Sequence, residues 1–533
     1  MARRGILAAP MAFDLDDPLV HMSAVEISSR LEKREISSED VVRAHLDRIV
    51  TLDGKVGAFV AVHRGEALAA ARRSDEARAR GEAKGRLFGV PVTVKENLDF
   101  EGRPATLGII ARRDHRATRH ATIVKGLLEA GAIILGQTNV PQLLLSHETR
   151  NPLYGVTVNV WSKQHAPGGS SGGEASAIAA GFTPFGVGTD IGGSIRVPAG
   201  WSGITGFKPT LDRWPTRGSN GALAGQETVR SQVGPMARSV DDLMLLLESV
   251  DLAALSADDP ALVPMPFRPL DEVDVKKLRV GFYVDDGFVT PSRAVGRAVH
   301  EASRALEGRV AAVKSFVPPS TREAMALYFG VMSADGGRTA WAQLAGTAVE
   351  PTLAQLKRMA SLPAAARGAL GRVLRGIGQE RAAFLIDQVG EKSVEELWRL
   401  TRRARAYRYE LMRAMEEAEV DVLLCPLHST PAVPHKKSTE FQIAGSHSML
   451  FNLVQFPAGV VPVTLVREDE AQREPGGDRF DAVARAVDEA SAGLPVGVQV
   501  AAPPFRDEAV LAVMRELERA LSGASPKTPR APG

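Results

Sequence analysis

Cysteine is almost absent: Cys425 is the only one in 533 residues, which excludes an internal disulfide and a thiolate metal cluster. That usage fits a reducing compartment. No stretch approaches the roughly 18–20 consecutive apolar residues needed to cross a bilayer. Neither sign of charge prevails, with 65 Lys and Arg against 63 Asp and Glu. A net charge of +2 gives no reason to expect a nucleic-acid partner, although local basic patches stay open. The 11 histidines lack ligand spacing, and H-E-x-x-H and Walker motifs are missing, so no metal and no cofactor are expected. Near the N-terminus, Arg3 and Arg4 precede only a short, weakly apolar stretch (5–13) before Asp14, Asp16 and Asp17, with no clear cleavage site. That is poor material for a secretory signal, so a cytoplasmic protein is expected.

What is present reads as a globular α/β enzyme. Hydrophobic residues are 44% and charged residues 24%, which excludes disorder as the general state. Ser23 and Glu26 form a capping box that opens a helix to about Arg34. Ser37 and Asp40 open a second, with Val41, Val42, His45, Leu46 and Ile49 on one face. A charged helix over 64–81, a strand over 88–94, a helix over 122–130 and a strand over 132–136 follow. Two Gly-rich loops, 168–173 and 188–193, flank a small-residue helix (174–181) and a short apolar run (185–187). Loops so rich in glycine bring backbone amides close to something. The alternation resumes with strand 278–284, helix 292–306, a mostly helical stretch over 321–418, strands 420–425, 459–466 and 496–501, and helix 507–521. No repeat and no Pro/Gly/Ser linker divides the chain. The expected organisation is an N-terminal arm (1–22), one large domain (23–521) with a helical insertion, and a disordered tail (522–533).

Several motifs compete. Gly168-Gly169-Ser170-Ser171-Gly172 matches G-x-S-x-G, but the nucleophile elbow needs a hydrophobic strand before it, and 162–167 is polar and ends in Pro167. Gly186-x-Gly188 begins like a dinucleotide fingerprint, yet Ile191 stands where the third glycine belongs. A reading that joins Lys95, Ser170 and Ser194 is chemically coherent. A hydroxyl is a weak nucleophile until a base takes its proton. A lysine can be that base if burial brings its pKa from ~10.4 to near 7, which takes roughly 4–5 kcal/mol of differential solvation. Val92, Val94 and Leu98 could supply such burial. The amides of Ile191, Gly192, Gly193 and Ser194 could converge on one oxygen as an oxyanion hole. On spacing alone, a solvated lysine and turn-forming serines are the commoner readings, and spacing does not select the triad over them.

The stretch from Gly168 to Arg196 resembles the amidase signature family: Gly-Gly-Ser-Ser-Gly-Gly, a small-residue helix, then Gly188-Thr189-Asp190-Ile191-Gly192-Gly193-Ser194-Ile195-Arg196-Val197-Pro198. Gly206-Phe207-Lys208-Pro209-Thr210 and the run from Gly89 to Glu96 fit as well. Segments outside these, such as Asn151-Pro152-Leu153-Tyr154-Gly155 and Phe456-Pro457-Ala458-Gly459, resemble the branch of the family that hydrolyses fatty acid amides. The resemblance implies a large twisted mixed β-sheet surrounded by helices. It also implies a serine hydrolase that cleaves fatty acid amides or N-acylethanolamines through an acyl-enzyme. Ser194 would be the nucleophile, Ser170 the proton shuttle on a cis peptide, and Lys95 the base. Ser171, Asp190 and Arg196 would support them, and Leu145 would line an acyl channel. A lipid amide is the implied partner; a homodimer stays open, since the sequence does not give the oligomeric state. Two alternatives stay open: an amidase of small aryl or aliphatic amides or acylated amino acids, and the glutaminase-like subunit of a tRNA amidotransferase.

Residues 351–379 carry Lys357, Arg358, Arg367, Arg372 and Arg375 and no acid. Ala366, Leu370, Val373, Leu374 and Ile377 share one helical face, a pattern that suits an interfacial helix or a helix covering the protein's own core. The resemblance favours the first, with 351–390 as a membrane-binding cap.

Overall fold

The computed structural model describes residues 17–474 and 476–522. Among the described residues thirteen strands are formed: β1 (Phe59–Val62), β2 (Pro91–Lys95), β3 (Ile133–Thr138), β4 (Arg150–Asn151), β5 (Gly155–Val156), β6 (Phe185–Asp190), β7 (Thr205–Lys208), β8 (Gln232–Ala237), β9 (Arg279–Phe282), β10 (Ala312–Ser315), β11 (Val422–Pro426), β12 (Ala458–Leu465) and β13 (Pro495–Ala501). β4 and β5 pair as a small ribbon, and the rest build one 11-stranded sheet in the order β1-β3-β2-β6-β8-β7-β12-β13-β11-β9-β10. The sheet is mixed. β3, β2 and β6 run parallel, as do β11, β9 and β10, and antiparallel pairs join the two groups.

Local signals explain most of the helices. Ser23 and Ser37 accept the amides of Glu26 and Asp40 at 3.0 Å, and helices Ala24–Glu32 and Ser38–Val56 follow. Gly57, with φ +67°, ends the second because a left-handed residue there is cheap only without a Cβ. Helix Asp507–Leu521 packs on β12, helix Arg293–Leu306 on β13, and helix Gly172–Ala179 against β6. β2, β3, β6, β8, β11 and β13 are buried along their whole length.

Some bounds differ from expectation for physical reasons. The strand expected over 88–94 starts only at Pro91, because Gly89 turns the chain with φ +83°. The run expected to end at Val187 continues through Gly188, Thr189 and Asp190, which pair with Gly234, Val233 and Gln232 of β8. What reads as the start of a glycine loop is therefore strand. The stretch expected to be mostly helical contains six helices: Thr321–Met332, Arg338–Ala342, Pro351–Ala360, Ala364–Gly376, Glu380–Gln388 and Val394–Glu417. Within the expected arm, Pro18–His21 is a short 3-10 helix, while 1–16 lie outside the described residues. All of the expected tail except Ser522 lies outside them too.

Candidate active site

β2 and β6 are parallel neighbours, so their C-terminal ends meet at one edge of the sheet. Lys95 is the last residue of β2 and Asp190 the last of β6. Ligand sites of α/β sheets gather at such strand ends. The loop 166–171 leads to the same place, where helix Gly172–Ala179 begins. Lys95 is fully buried, Ser170 is 2% exposed and Ser194 5% exposed.

Lys95 Nζ lies 2.7 Å from Ser170 Oγ, 2.8 Å from Thr189 Oγ1 and 3.4 Å from the Thr189 carbonyl. A neutral amine has two N–H donors and one lone pair. Donating to the two Thr189 oxygens leaves the lone pair facing the Ser170 hydroxyl. Burial pushes the lysine pKa down to about 7, against the upward pull of Asp190, Glu174 and Glu96. The peptide Gly169–Ser170 is cis. No hydrogen bond joins Ser170 to Ser194 among the described residues. Their segments are tied through the backbone instead, where the Ser171 amide donates to the Ser194 carbonyl at 3.1 Å. Ser171 Oγ donates to the Thr189 carbonyl at 3.3 Å.

Asp190 organises the next turn. Its carboxylate accepts the amides of Gly193 (2.8 Å) and Ile195 (3.1 Å), Arg196 Nε (3.0 Å) and Nη2 (2.9 Å), and Asn452 Nδ2 (2.9 Å). Burial works against its charge, yet the Arg196 guanidinium holds its pKa well below the usual carboxylate range. Arg196 also donates through Nη1 to the Ser448 carbonyl (2.9 Å) and to Gln499 Oε1 (2.5 Å), and through Nη2 to Asn452 Oδ1 (2.5 Å). A buried ion pair of this kind needs such partners to offset desolvation.

The expected four-amide hole is corrected at one position, since the Gly193 amide is committed to Asp190. The amides of Ile191, Gly192 and Ser194 have no acceptor among the described residues. Leu145 is half-buried in a small apolar cluster with Leu143, Leu344, Leu353 and Trp341, apart from the main core. It also lines a cleft beside the Arg150–Glu350 ion pair (2.9 Å), so this wall is not purely apolar. Among the described residues no group of His, Cys, Asp and Glu could hold a metal ion.

Sequence reasoning missed several residues here. Thr189 sits inside the quoted motif and could have been picked out as a hydroxyl beside Asp190. Glu174, fully buried under Lys95, accepts from Thr93 Oγ1 and from Thr138 Oγ1 (2.7 Å), and burial raises its pKa to about 7. An acid in a small-residue helix was its only signal. Asn452, Gln499, Tyr328 and His147 reach the site through the tertiary fold and carry no local signal.

The sequence profile of the family described as amidase matches residues 40–511. The chain belongs to the amidase signature family. This amidase is a hydrolase acting on amide bonds. It is 38% identical over 445 residues to fatty-acid amide hydrolase 1 of Sus scrofa, covering 82% of this chain and 76% of that one. It is 33% identical over 504 residues to fatty acid amide hydrolase 1 of Caenorhabditis elegans, covering 93% and 88%. A solved structure of a fatty acid amide hydrolase superposes with a TM-score of 0.81 at 25% identity, covering 96% of this amidase and 86% of that chain.

Proposed function

We propose that this amidase hydrolyses fatty acid amides or N-acylethanolamines through Ser194, Ser170 and Lys95. The observation that carries the triad is the buried Lys95 Nζ at 2.7 Å from Ser170 Oγ, with both remaining N–H directions met by Thr189. Neutral Lys95 takes the Ser170 proton as Ser170 takes that of Ser194. Ser194 Oγ then forms a bond to the amide carbon, and the carbonyl oxygen becomes an oxyanion facing the amides of Ile191, Gly192 and Ser194. The proton returns through Ser170 to the leaving nitrogen, the C–N bond breaks, and the amine departs. Water, deprotonated along the same relay, releases the fatty acid and restores Ser194. Substrate binding must bring Ser194 Oγ onto Ser170, a contact that often tightens only in the complex.

The lipid class rests on the two curated relatives named as fatty acid amide hydrolases and on the apolar cluster around Leu145. A membrane surface as the source of substrate is part of the same reading. No helix among the described residues is long and apolar enough to cross a membrane.

Two measurements test this reading. A fluorophosphonate probe should label the wild-type chain and leave Ser194→Ala unlabelled; equal labelling of both removes Ser194 as nucleophile. Hydrolysis of oleoyl ethanolamide and oleamide should exceed that of a short aryl amide. The reverse order would replace the lipid substrate with a small one.

A further inference from the structure

The loop 190–194 is gripped at every carbonyl. Asn452 Nδ2 donates to the Asp190 oxygen (3.2 Å), Tyr328 Oη to that of Ile191 (3.1 Å), the Val197 amide to that of Gly193 (2.7 Å), and the Ser171 amide to that of Ser194 (3.1 Å). His147 Nε2 lies 3.2 Å from the Gly192 oxygen. In a trans peptide the carbonyl of one residue and the N–H of the next point in opposite directions. Each grip on a carbonyl therefore aims the following amide. Asn452 and Val197 aim the amides of Ile191 and Ser194 in this way, and both lie on or beside the Asp190–Arg196 network. The peptide joining Gly192 to Gly193 is held at both ends, by His147 and Asp190.

The peptide joining Ile191 to Gly192 is held from outside that network. Its N–H, like those of Ile191 and Ser194, has no acceptor among the described residues, and its carbonyl is held by Tyr328. Tyr328 comes from helix Thr321–Met332, more than a hundred residues past the glycine-rich segment. Its side chain is nearly buried, and burial raises the phenol pKa, so the hydroxyl stays a donor. A Cβ on Gly192 would stand 2.4 Å from Tyr328 Oη, so a glycine at 192 is what admits the hydroxyl.

We propose that Tyr328 is a positioning residue for amide hydrolysis, aiming the Gly192 N–H at the developing oxyanion through its bond to the Ile191 carbonyl. A donor on a carbonyl also polarises the peptide and strengthens its N–H as a donor. The inference rests on the oxyanion role read above for this loop. Losing one oxyanion donor outright costs about 10²–10³ in kcat, and misaiming one costs less, roughly tenfold.

The test is Tyr328→Phe, which keeps the ring and deletes only the hydroxyl. Rates are taken per active site titrated with fluorophosphonate, so unfolded chains do not count. The expected result is kcat about tenfold lower with KM within twofold. Affinity for a trifluoromethyl ketone, which forms a tetrahedral adduct on the serine, should fall by the same factor. The midpoint of the pH profile should stay where Lys95 sets it. Gly192→Ala should lose more activity beside Tyr328 than in the Tyr328→Phe background, where the clashing oxygen is gone. Unchanged kcat and ketone affinity in Tyr328→Phe, or strictly additive effects of the two substitutions, overturn the inference while leaving the hydrolase reading intact. A wild-type chain that neither turns over amides nor binds the ketone overturns both.

Discussion

Lys95 is where the chemistry and the stability of this amidase pull against each other. The neutral amine is the reactive form, so with a pKa of about 7 the value of kcat/KM should rise with pH, reach half its limit near neutrality and level off above. Lys95→Ala should abolish amide turnover; a variant that keeps turnover removes Lys95 as the base. The same shift has a cost in folding. The unfolded lysine titrates near 10.5 and the folded one near 7, so between these values the unfolded chain binds more protons. Stability therefore rises with pH across that window. Below about pH 7 the burden is complete, of order 4–5 kcal/mol. Lys95→Met removes it, less about 1 kcal/mol for each of the hydrogen bonds lost to Ser170 Oγ and Thr189 Oγ1. The inactive methionine variant should melt at a higher temperature than wild type at pH 7, with the gain shrinking toward pH 10. Lys208, buried and also brought down to about 7, is present in both proteins and cancels from the comparison. A variant that melts lower at pH 7 would mean that the site does not strain the fold.

At the scale of elements, the packing beneath Lys95 is built around one carboxyl. Thr93 precedes Lys95 by two residues on β2, Thr138 pairs with Lys95 across β3, and both hydroxyls donate to Glu174. On β6, Gly186 leaves the room that Glu174 fills, since a Cβ there would fall 1.7 Å from Oε1. Gly186→Ala should thus destabilise by about 1–3 kcal/mol, visible as a lower urea midpoint; an unchanged midpoint would show that helix Gly172–Ala179 can shift freely. None of this cradle is readable in the sequence, because strand register across β2, β3 and β6 creates it. The helices with serine caps and apolar stripes were readable, and so were the buried β-branched runs. β8 was not, since Gly234 and Pro235 read as breakers. It survives because its pairing with β7 ends at Met236, so Pro235 interrupts no bond there. Helix Val240–Ser249 is passed over even though Ser239 caps it and Leu243, Leu246 and Leu247 mark its buried face. Lys95, Ser170 and Asp190 were legible because the motifs that contain them are contiguous. Tyr328 and Asn452 were not, because only the folded chain brings them to the loop.

For the molecule as a whole, the open question is what helix Ala364–Gly376 faces. Its inner side is Gly371, where a Cβ would fall 2.6 Å from Asp387 Oδ1, so glycine lets helix Glu380–Gln388 pack close. Its outer side turns Leu370, Val373 (59% exposed) and Ile377 (65% exposed) away from the core. These three side chains do not cover the core. Arg375 is neutralised by Asp387 at 2.5 Å, whereas Lys357, Arg358 and Arg372 have no ion pair among the described residues. Three free cations near an anionic surface contribute about 1 kcal/mol each, and burying three aliphatic side chains adds a few kcal/mol more. The sum suits reversible binding, and its electrostatic part should weaken with salt. The wild-type chain should co-sediment with phosphatidylserine-containing vesicles at low salt and be released as salt rises. Leu370→Ser, Val373→Ser and Ile377→Ser together should abolish co-sedimentation while leaving hydrolysis of a detergent-dispersed amide within about twofold, because none of the three lies in the catalytic network. Co-sedimentation that survives the triple change would place the contact elsewhere on the surface, and none by the wild type would leave the substrate to arrive from water.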